Sequence, residues 1–447
     1  MSARDLRAAI FAVLVIATIA SVTQLLPATG TPPTPSGIAT PSAARTEEGR
    51  LALSAKAFGS DPIANPPSAP TGDDGQAKVW LHDGRWWAAL IDHESSGFHI
   101  FGLDWASQDW FDTGVVIDDR PNAHPDVLVE GDKLFTVSAG HSRIPSARPQ
   151  LKRFSYDGQG WSLDPGFPVD VAAAGVGSVS IGRDSTGRLW VAIVDGGQVL
   201  INASREREDD WGAPWPLPGP GTTVRDEDVA RVVAHGPGRI GVMWSNQIDA
   251  TFRFAVHRDE AAPEAWTTET VLAGPMIADN HIDLATARFG AEERVLAVVK
   301  TSRNEAVPVD RNDGLILLLT QRAGGGWSES IVGRVRDHQT RPLILVDSRT
   351  RSAVVATTSD EVGSSITYQA ASLDDPDFVT GPGAPLIGDE DDQVVDATST
   401  HQDVDLAQGA VVVAWDERRG RYMHAMLSLS GQAGIGRDAV NDRRRAG

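Results

Sequence analysis

Titratable and cationic side chains of this chain concentrate in the polar segments between its short apolar runs. Histidine and carboxylate groups that meet at one place can act as general acid and base. Lysine and arginine side chains beside them can neutralise an anionic sugar or another acidic ligand. The ligand-binding candidates of this kind are Asp126, Arg143, Asp228, His281, Asp283, Lys300, His338 and Arg341.

The elements that position these side chains follow from a repeat. A tryptophan ends a polar, glycine-rich stretch roughly every fifty residues, and a fixed period of this length indicates stacked supersecondary units. Because the apolar runs are short and bounded by Gly, Asp, Asn and Pro, the units are predicted to be all-β propeller blades. The repeated aromatic residues are Trp110, Trp161, Trp211, Trp266 and Trp327, with Phe378 in the sixth place.

Each unit fits four strands, A to D, counted from the propeller axis outward. Seven A–B turns, the first at 82–85 and the last at 405–409, each precede an apolar B strand. The prediction is therefore a seven-bladed β-propeller, with a six-bladed ring containing one degenerate unit as the alternative. The last unit lacks a fourth strand, and we expect the alternating stretch 51–58 to supply it, because such closure removes exposed sheet edges.

This register places the D–A connections and the B–C loops on one face, and the short A–B turns on the other. The candidate residues lie on the first face, where polar groups around a channel mouth are what a ligand site needs. The alternative for any single acid is structural, since acids at the start of a strand often bond neighbouring backbone.

Composition excludes several functions. The net charge of −20 repels nucleic acid and anionic lipid, so neither is an expected partner. The absence of cysteine excludes disulfides and thiolate chemistry. No cofactor is identified, but the acidic run at 389–392 leaves a structural divalent cation open. We expect a monomer whose partner is an extracellular glycan or a surface protein.

The ends of the chain indicate its location. Arg4 and Arg7 precede an apolar run at 8–20, which is typical of a signal peptide or an N-terminal membrane anchor over 1–26. A Pro/Thr/Ser-rich linker follows at 27–48, then the propeller at 49–430 and a flexible tail at 431–447. Both interpretations place the propeller outside the cytoplasm, with membrane contact only through the N-terminal segment.

One part of the chain resembles a known family. The stretch 122–129 (NAHPDVLV), with Gly140-His141-Ser142 after the next apolar run, resembles the BNR-repeat group of sialidase-like propellers. The later stretches 281–284, 299–302 and 340–342 look like parts of the same extracellular bacterial propellers, so the resemblance covers roughly 75–430. The chain departs from the family's Asp box, because the best match, 183–190, keeps only Gly187 and Trp190.

The resemblance implies specific roles. Members of this group include polysaccharide lyases, glycosidases and proteins without known activity. If the lyase pattern applies, His124 and His141 are the catalytic candidates, as base and acid, and Lys300 or Arg341 faces a uronate carboxylate. We therefore expect a propeller that binds a glycan and, as a lyase or glycoside hydrolase, cleaves it. The alternative is a non-catalytic cell-surface scaffold, because fold alone does not decide function.

Overall fold

The computed structural model describes residues 51–63, 69–72, 75–120, 123–140, 148–173, 179–359, 364–389 and 392–430. All of them belong to one compact unit, Arg50–Gly447. The predicted signal or anchor, the linker and the tail lie outside the described residues. Within the described ranges, no helix has the length and apolar character needed to cross a membrane.

The strands group into seven blades, preceded by β1 (Leu53–Gly59). Blade one contains β2 (Val79–His82), β3 (Arg85–Ile91), β4 (Phe98–Asp104) and β5 (Asp109–Asp118). Blade two contains β6 (Ala123–Glu130), β7 (Lys133–Gly140), β8 (Gln150–Tyr156), β9 (Trp161–Leu163) and β10 (Val169–Asp170). Blade three contains β11 (Val179–Arg183), β12 (Leu189–Asp195), β13 (Gln198–Ala203) and β14 (Trp215–Pro216).

The remaining blades follow the same order. Blade four contains β15 (Ala230–Ala234), β16 (Arg239–Asn246), β17 (Thr251–Arg258) and β18 (Trp266–Ala273). Blade five contains β19 (Ile282–Phe289), β20 (Glu292–Lys300), β21 (Gly314–Gln321) and β22 (Trp327–Arg334). Blade six contains β23 (Gln339–Asp347), β24 (Ser352–Ser359), β25 (Ile366–Ser372) and β26 (Ala384–Ile387). Blade seven contains β27 (Val394–Thr398), β28 (Ala410–Asp416) and β29 (Arg421–Leu429), and two 3₁₀ turns lie at Arg303–Glu305 and Val335–Asp337.

The sheet topology is that of a propeller. In each of the seven sheets the strands pair antiparallel with their neighbours in the chain, except where the chain closes on itself. Blade two departs slightly, because both β9 and β10 pair with β8. The prediction of seven blades is confirmed, and the six-bladed alternative is wrong.

The ring closes through its N-terminal strand, as predicted. β1 pairs with β29 from Leu53 opposite Leu429 to Gly59 opposite Met423, which gives the order β1-β29-β28-β27. The ring of Phe58 also stacks on that of His424, with their centroids 5.1 Å apart. This pairing covers the edge of β29 that would otherwise be open to other strands.

Packing between blades explains the tryptophan period. Trp266 begins the outer strand of blade four, and its ring lies 5.6 Å from that of Trp190 in blade three. Trp327 of blade five contacts Phe254 of blade four in the same way, at 5.3 Å. Edge-to-face contacts of this kind bury a large apolar area. Two more of the repeated rings contact the preceding blade of the ring in this way, Trp161 against Trp87 and Trp110 against His424.

The turn before β12 is held by an acidic side chain. Asp184 accepts hydrogen bonds from the backbone N–H groups of Thr186 and Arg188, each 3.0 Å long. Its other oxygen accepts a bond of 2.8 Å from Nε1 of Trp190. Asp184 therefore fixes this turn and joins it to Trp190, although it lies one position before the aspartate of the Asp box.

Candidate functional site at the channel mouth

The inner strands of the blades surround the propeller axis. Because the strands of each blade alternate in direction, the D–A connections and B–C loops meet at one end of that axis. We call this end the mouth. The described segments of the predicted polar face lie at the mouth, and they include the segment before β19 and the end of β20.

Three side chains of blade five form a hydrogen-bonded row at the mouth. Nζ of Lys300 donates to Oδ2 of Asp279 over 2.5 Å, and Nδ1 of His281 lies 2.5 Å from Oδ1 of the same carboxylate. Burial raises the pKa of Asp279, but the contacts with His281 and Lys300 outweigh it, so the net pKa lies below its ordinary value. Asp279 therefore stays ionised between its two partners.

This row orients the imidazole of His281. Since Nδ1 faces a carboxylate, the proton of the neutral ring is assigned to Nδ1, which leaves Nε2 as an acceptor. Nε2 bonds to no described residue, and the side chain is 15% exposed. The arrangement suits an imidazole that takes a proton from a ligand.

A second pair faces the same mouth from blades six and seven. Nε of Arg341 lies 2.7 Å from Oδ1 of Asp396. Both residues have left-handed backbones, with φ of +50° for Arg341 and +57° for Asp396. Each lies where the ladder between an inner strand and its neighbour shifts register, between Thr340 and Leu343 and between Val395 and Thr398. Bulges and strained residues of this kind concentrate at functional sites.

The two groups meet at one small cavity. Its free volume is about 10 Å³, which is the room for about one water molecule. A sugar ring does not fit inside, so a glycan would have to lie across the mouth, over the guanidinium of Arg341, whose side chain is 35% exposed. The lining residues are Gly72, Gly75, His281, Ile282, Arg341, Pro342 and Ala397.

The segment before β2 crosses this region. Thr398 donates its hydroxyl to the carbonyl of Gln76 over 2.8 Å. Gly75 passes so close to blade five that an added Cβ would lie 2.4 Å from the carbonyl oxygen of Ile282. Glycine is required here, because its φ of +70° and the close approach both exclude a side chain.

Two predicted ligand-binding aspartates hold the inner strands together. Asp126 is buried, and its oxygens accept backbone hydrogen bonds from Ala77 at 2.9 Å and Ile181 at 3.0 Å. Desolvation raises the pKa of Asp126 above its ordinary value. Asp283 accepts from the backbone N–H of Ile344 at 2.8 Å. Both carboxylates thus link neighbouring blades, and solvent does not reach Asp126.

His401 completes this axial group. It follows β27 of blade seven, and its Nε2 lies 2.9 Å from Oδ1 of Asp283 in blade five. Desolvation lowers the pKa of His401, but the charges of Asp283 and Asp126 outweigh it and raise the net pKa. The chain pattern did not mark this histidine, because it lies on the A–B side of its blade and reaches the axis only in the folded ring.

The acids before the inner strands share a structural role. Asp228 accepts a hydrogen bond of 2.7 Å from the hydroxyl of Ser245, at the end of the second strand of its own blade. Asp118 accepts from the hydroxyl of Ser138 in the same way, while Asp279 accepts from the ammonium of Lys300 and Asp392 from the guanidinium of Arg419. Desolvation raises the pKa of Asp228, and its hydrogen bonds only partly oppose this. The structural interpretation of such acids therefore accounts for the contacts of Asp228.

The other candidates are spread over the ring. His124 lies on β6 at 2% exposure, with its ring 6.1 Å from that of Phe98. His338 follows the turn Val335–Asp337 with a left-handed backbone and is half-buried. His141 and Arg143 lie outside the described residues. The structure thus brings together His281 and Arg341, with Lys300 joined to His281 through Asp279.

Sequence reasoning missed Asp279 and Asp396 as members of this group. Asp279 had a usable signal, because it precedes His281 by two residues in the same connection. Asp396 had none, since neither its left-handed backbone nor its approach to Arg341 is visible in the chain.

Comparison with known proteins gives fold relatives. No family model matches the sequence, and no curated protein matches it. A PL25 ulvan lyase aligns with a TM-score of 0.54 and 9% identity over 82% of this chain and 94% of that chain. A second ulvan lyase structure of this family, bound to -[GlcA(1-4)Rha3S]-, aligns with a TM-score of 0.53, 9% identity and the same 82% and 94% coverage.

A third structure, polysaccharide lyase Uly1, aligns with a TM-score of 0.46 and 10% identity over 87% of this chain and 94% of that chain. At such low identities, structural likeness establishes fold and leaves activity open. What the ulvan lyase alignments show is that this chain shares their β-propeller fold.

Proposed function

We propose that this chain is an extracytoplasmic propeller that binds anionic glycans across its mouth and cleaves them there. The observation that carries the proposal is the ion pair of Arg341 and Asp396, held in strained backbone beside His281. Strain that folding does not require is expected where a ligand is bound. Among the described residues of the other five blades, no ion pair joins two residues that both have left-handed backbones.

The chemistry of the group suits a uronate. The guanidinium of Arg341 can bind a carboxylate or a sulfate as a charge-assisted pair. Nε2 of His281 can remove the proton at C5 of a uronate residue. In such an elimination the C4–O4 bond breaks, a C4=C5 double bond forms, and the leaving oxygen takes up a proton from the imidazolium or from water. A glycoside hydrolase is the second possible reaction, and its products differ.

The fold relatives and the ends of the chain support the proposal. Two of the fold relatives are structures of ulvan lyases, one of them with a uronate-containing ligand. The extracytoplasmic location rests on the arginines and apolar run of 1–26. Membership of the BNR-repeat, sialidase-like group remains part of the proposal, as do roles for His124 and His141.

The test uses the purified chain with ulvan, other uronate polysaccharides, a sialylated glycan and a neutral glucan. We expect binding to the anionic glycans and release of unsaturated ends, measured by ultraviolet absorbance, with new reducing ends alone indicating hydrolysis. His281→Gln should abolish release and keep binding, and Arg341→Gly should weaken binding at least about tenfold. Asp132→Asn, on the opposite face, should change neither.

Each contrary result has a defined meaning. If the wild-type chain binds no anionic glycan, the proposal fails and the scaffold alternative is favoured. If His281→Gln cleaves as fast as the wild type, the site lies elsewhere, and His124→Ala and His141→Ala become the next variants. Equal binding by Arg341→Gly would exclude the guanidinium as the anion contact.

A further inference from the structure

A second cluster of titratable side chains lies in blade one, away from the group of blades five to seven. Asp92 follows β3, His99 lies on β4, and Asp112 lies on β5. One potential ligand atom from each of the three lies within 4.8 Å of the other two. Nδ1 of His99 lies 2.9 Å from Oδ2 of Asp112, in a hydrogen bond that a bound cation would replace, and Nε2 lies 3.4 Å from Oγ of Ser95.

A bulge in the outer strand aims Asp112 at His99. Phe101 pairs with Asp112, but His99 pairs with Val116, so β5 carries extra residues between these positions. Gly114 within the bulge has a φ of +73°, and its N–H donates to Oδ1 of Asp112 over 2.8 Å. Bulges often re-aim a side chain at a functional position. The bulge leaves Oδ2 of Asp112 directed at the imidazole.

Asp92 reaches the cluster from the loop after β3. Its Oδ2 accepts backbone hydrogen bonds from Ser95 at 2.7 Å and Glu94 at 3.1 Å. Its Oδ1 accepts no hydrogen bond from any described residue. This oxygen is therefore open to a ligand, while the other fixes the side chain.

The charge of the cluster is not balanced by the protein. With a neutral imidazole the three side chains carry two negative charges. Of the described lysines and arginines, none pairs with Asp92 or Asp112, and the contact of Asp112 with the imidazole of His99 is an ion pair only when that ring is protonated. Two other acids of the same face have a cationic partner, since Asp279 pairs with Lys300 and Asp118 pairs with Arg120. A dication would neutralise this cluster.

We propose that Asp92, His99 and Asp112 bind one Zn²⁺ ion, with water completing the coordination. An imidazole with two carboxylates favours zinc over calcium or magnesium, which prefer oxygen ligands throughout. The ion would join the loop after β3 to the two outer strands of blade one. The proposal goes beyond the glycan site and does not depend on it.

The test uses the full chain without an affinity tag, freed of metal with a chelator. After addition of Zn²⁺ and dialysis, elemental analysis should give about one zinc per chain, and zinc should raise the melting temperature. Asp112→Asn and His99→Gln should each weaken zinc binding at least about tenfold in calorimetric titrations. Asp132→Asn is the matched control, because Asp132 lies 3.4 Å from Nε2 of another histidine, His82, and should keep the site.

Co²⁺ provides a direct readout of the ligands. The visible absorption of bound Co²⁺ should appear with the wild type and the control, and disappear with Asp92→Asn. This variant leaves the bulge of β5 intact, because Asp92 lies in the loop after β3. Failure of the wild type to hold zinc through dialysis would overturn the proposal. So would zinc binding of wild-type strength in both Asp112→Asn and His99→Gln. If one of these variants fails to fold, Asp92→Asn and the other variant decide.

Discussion

Arg341 and Asp396 form an ion pair of 2.7 Å, although both residues adopt left-handed backbone conformations. Each such conformation costs on the order of 1 kcal/mol or more in a residue with a side chain. The two residues occupy corresponding bulges of the inner strands of adjacent blades. The backbone strain thus turns two side chains toward the mouth, where regular strands would direct them elsewhere.

Variants at Arg341 should show how much the left-handed backbone of this residue costs in stability. Glycine accepts a φ near +50° without strain, so Arg341→Gly should lose only the ion pair with the buried carboxylate of Asp396, which is expected to cost about 3 kcal/mol. Arg341→Val is the matched control, because it loses the same ion pair and a β-branched residue is strongly disfavoured there, so it should lose about 2 kcal/mol more than Arg341→Gly. Urea unfolding of the three proteins measures this, and equal losses for both variants would contradict the strain.

Asp279→Asn should destabilise the protein more than His281→Gln. The asparagine leaves the buried ammonium of Lys300 without its carboxylate, which is expected to cost about 3 kcal/mol. His281 is partly exposed and its loss removes one hydrogen bond, so His281→Gln should cost about 1 kcal/mol. Urea midpoints at pH 7 compare them, and a wild-type midpoint for Asp279→Asn would show that the pair contributes little.

Two buried histidines predict loss of stability in acid. Burial, aided by Arg239, lowers the pKa of His235 from 6.5 to about 4, and burial lowers that of His424 equally. Between pH 6.5 and about pH 4 the two histidines are protonated in the unfolded chain but neutral in the folded chain. The free energy of unfolding therefore falls as the pH falls through this range.

His235→Leu should remove about half of the acid-dependent loss of stability that the two histidines cause. His235 is 1% exposed, and neither of its ring nitrogens has a hydrogen-bond partner among the described residues, so leucine replaces the ring without leaving a polar group unpaired. Between pH 7 and pH 5 the wild type should lose about 2 kcal/mol more than the variant. Urea unfolding at both pH values checks this, and parallel losses would mean that His235 is not neutral in the fold.

Removal of the closing strand should open the ring. A chain lacking residues 1–59 loses β1 and exposes the edge of β29, so we expect a melting temperature about 10 °C lower and aggregation. A chain lacking residues 1–48 keeps β1 and should melt like the wild type. Calorimetry and light scattering compare the two, and equal stability would show that the ring does not need this strand.

Much of the fold could be predicted from the chain, because its determinants are local and repeated. Each A–B turn and each apolar strand depends on neighbouring residues, and the tryptophans recur because every blade presents the same crevice to the next. The missing fourth strand of the last unit also pointed to the stretch that β1 fills.

The composition of the site depended on contacts between blades. The sequence by itself determined that His281, Lys300 and Arg341 lie on the polar face, since the blade register decides on which face each connection lies. Only the tertiary structure decided that Asp396 meets Arg341, that Asp126 is buried, and that His401 reaches Asp283 across the axis. These outcomes rest on bulges and on distances between residues far apart in the chain, and no local pattern encodes either.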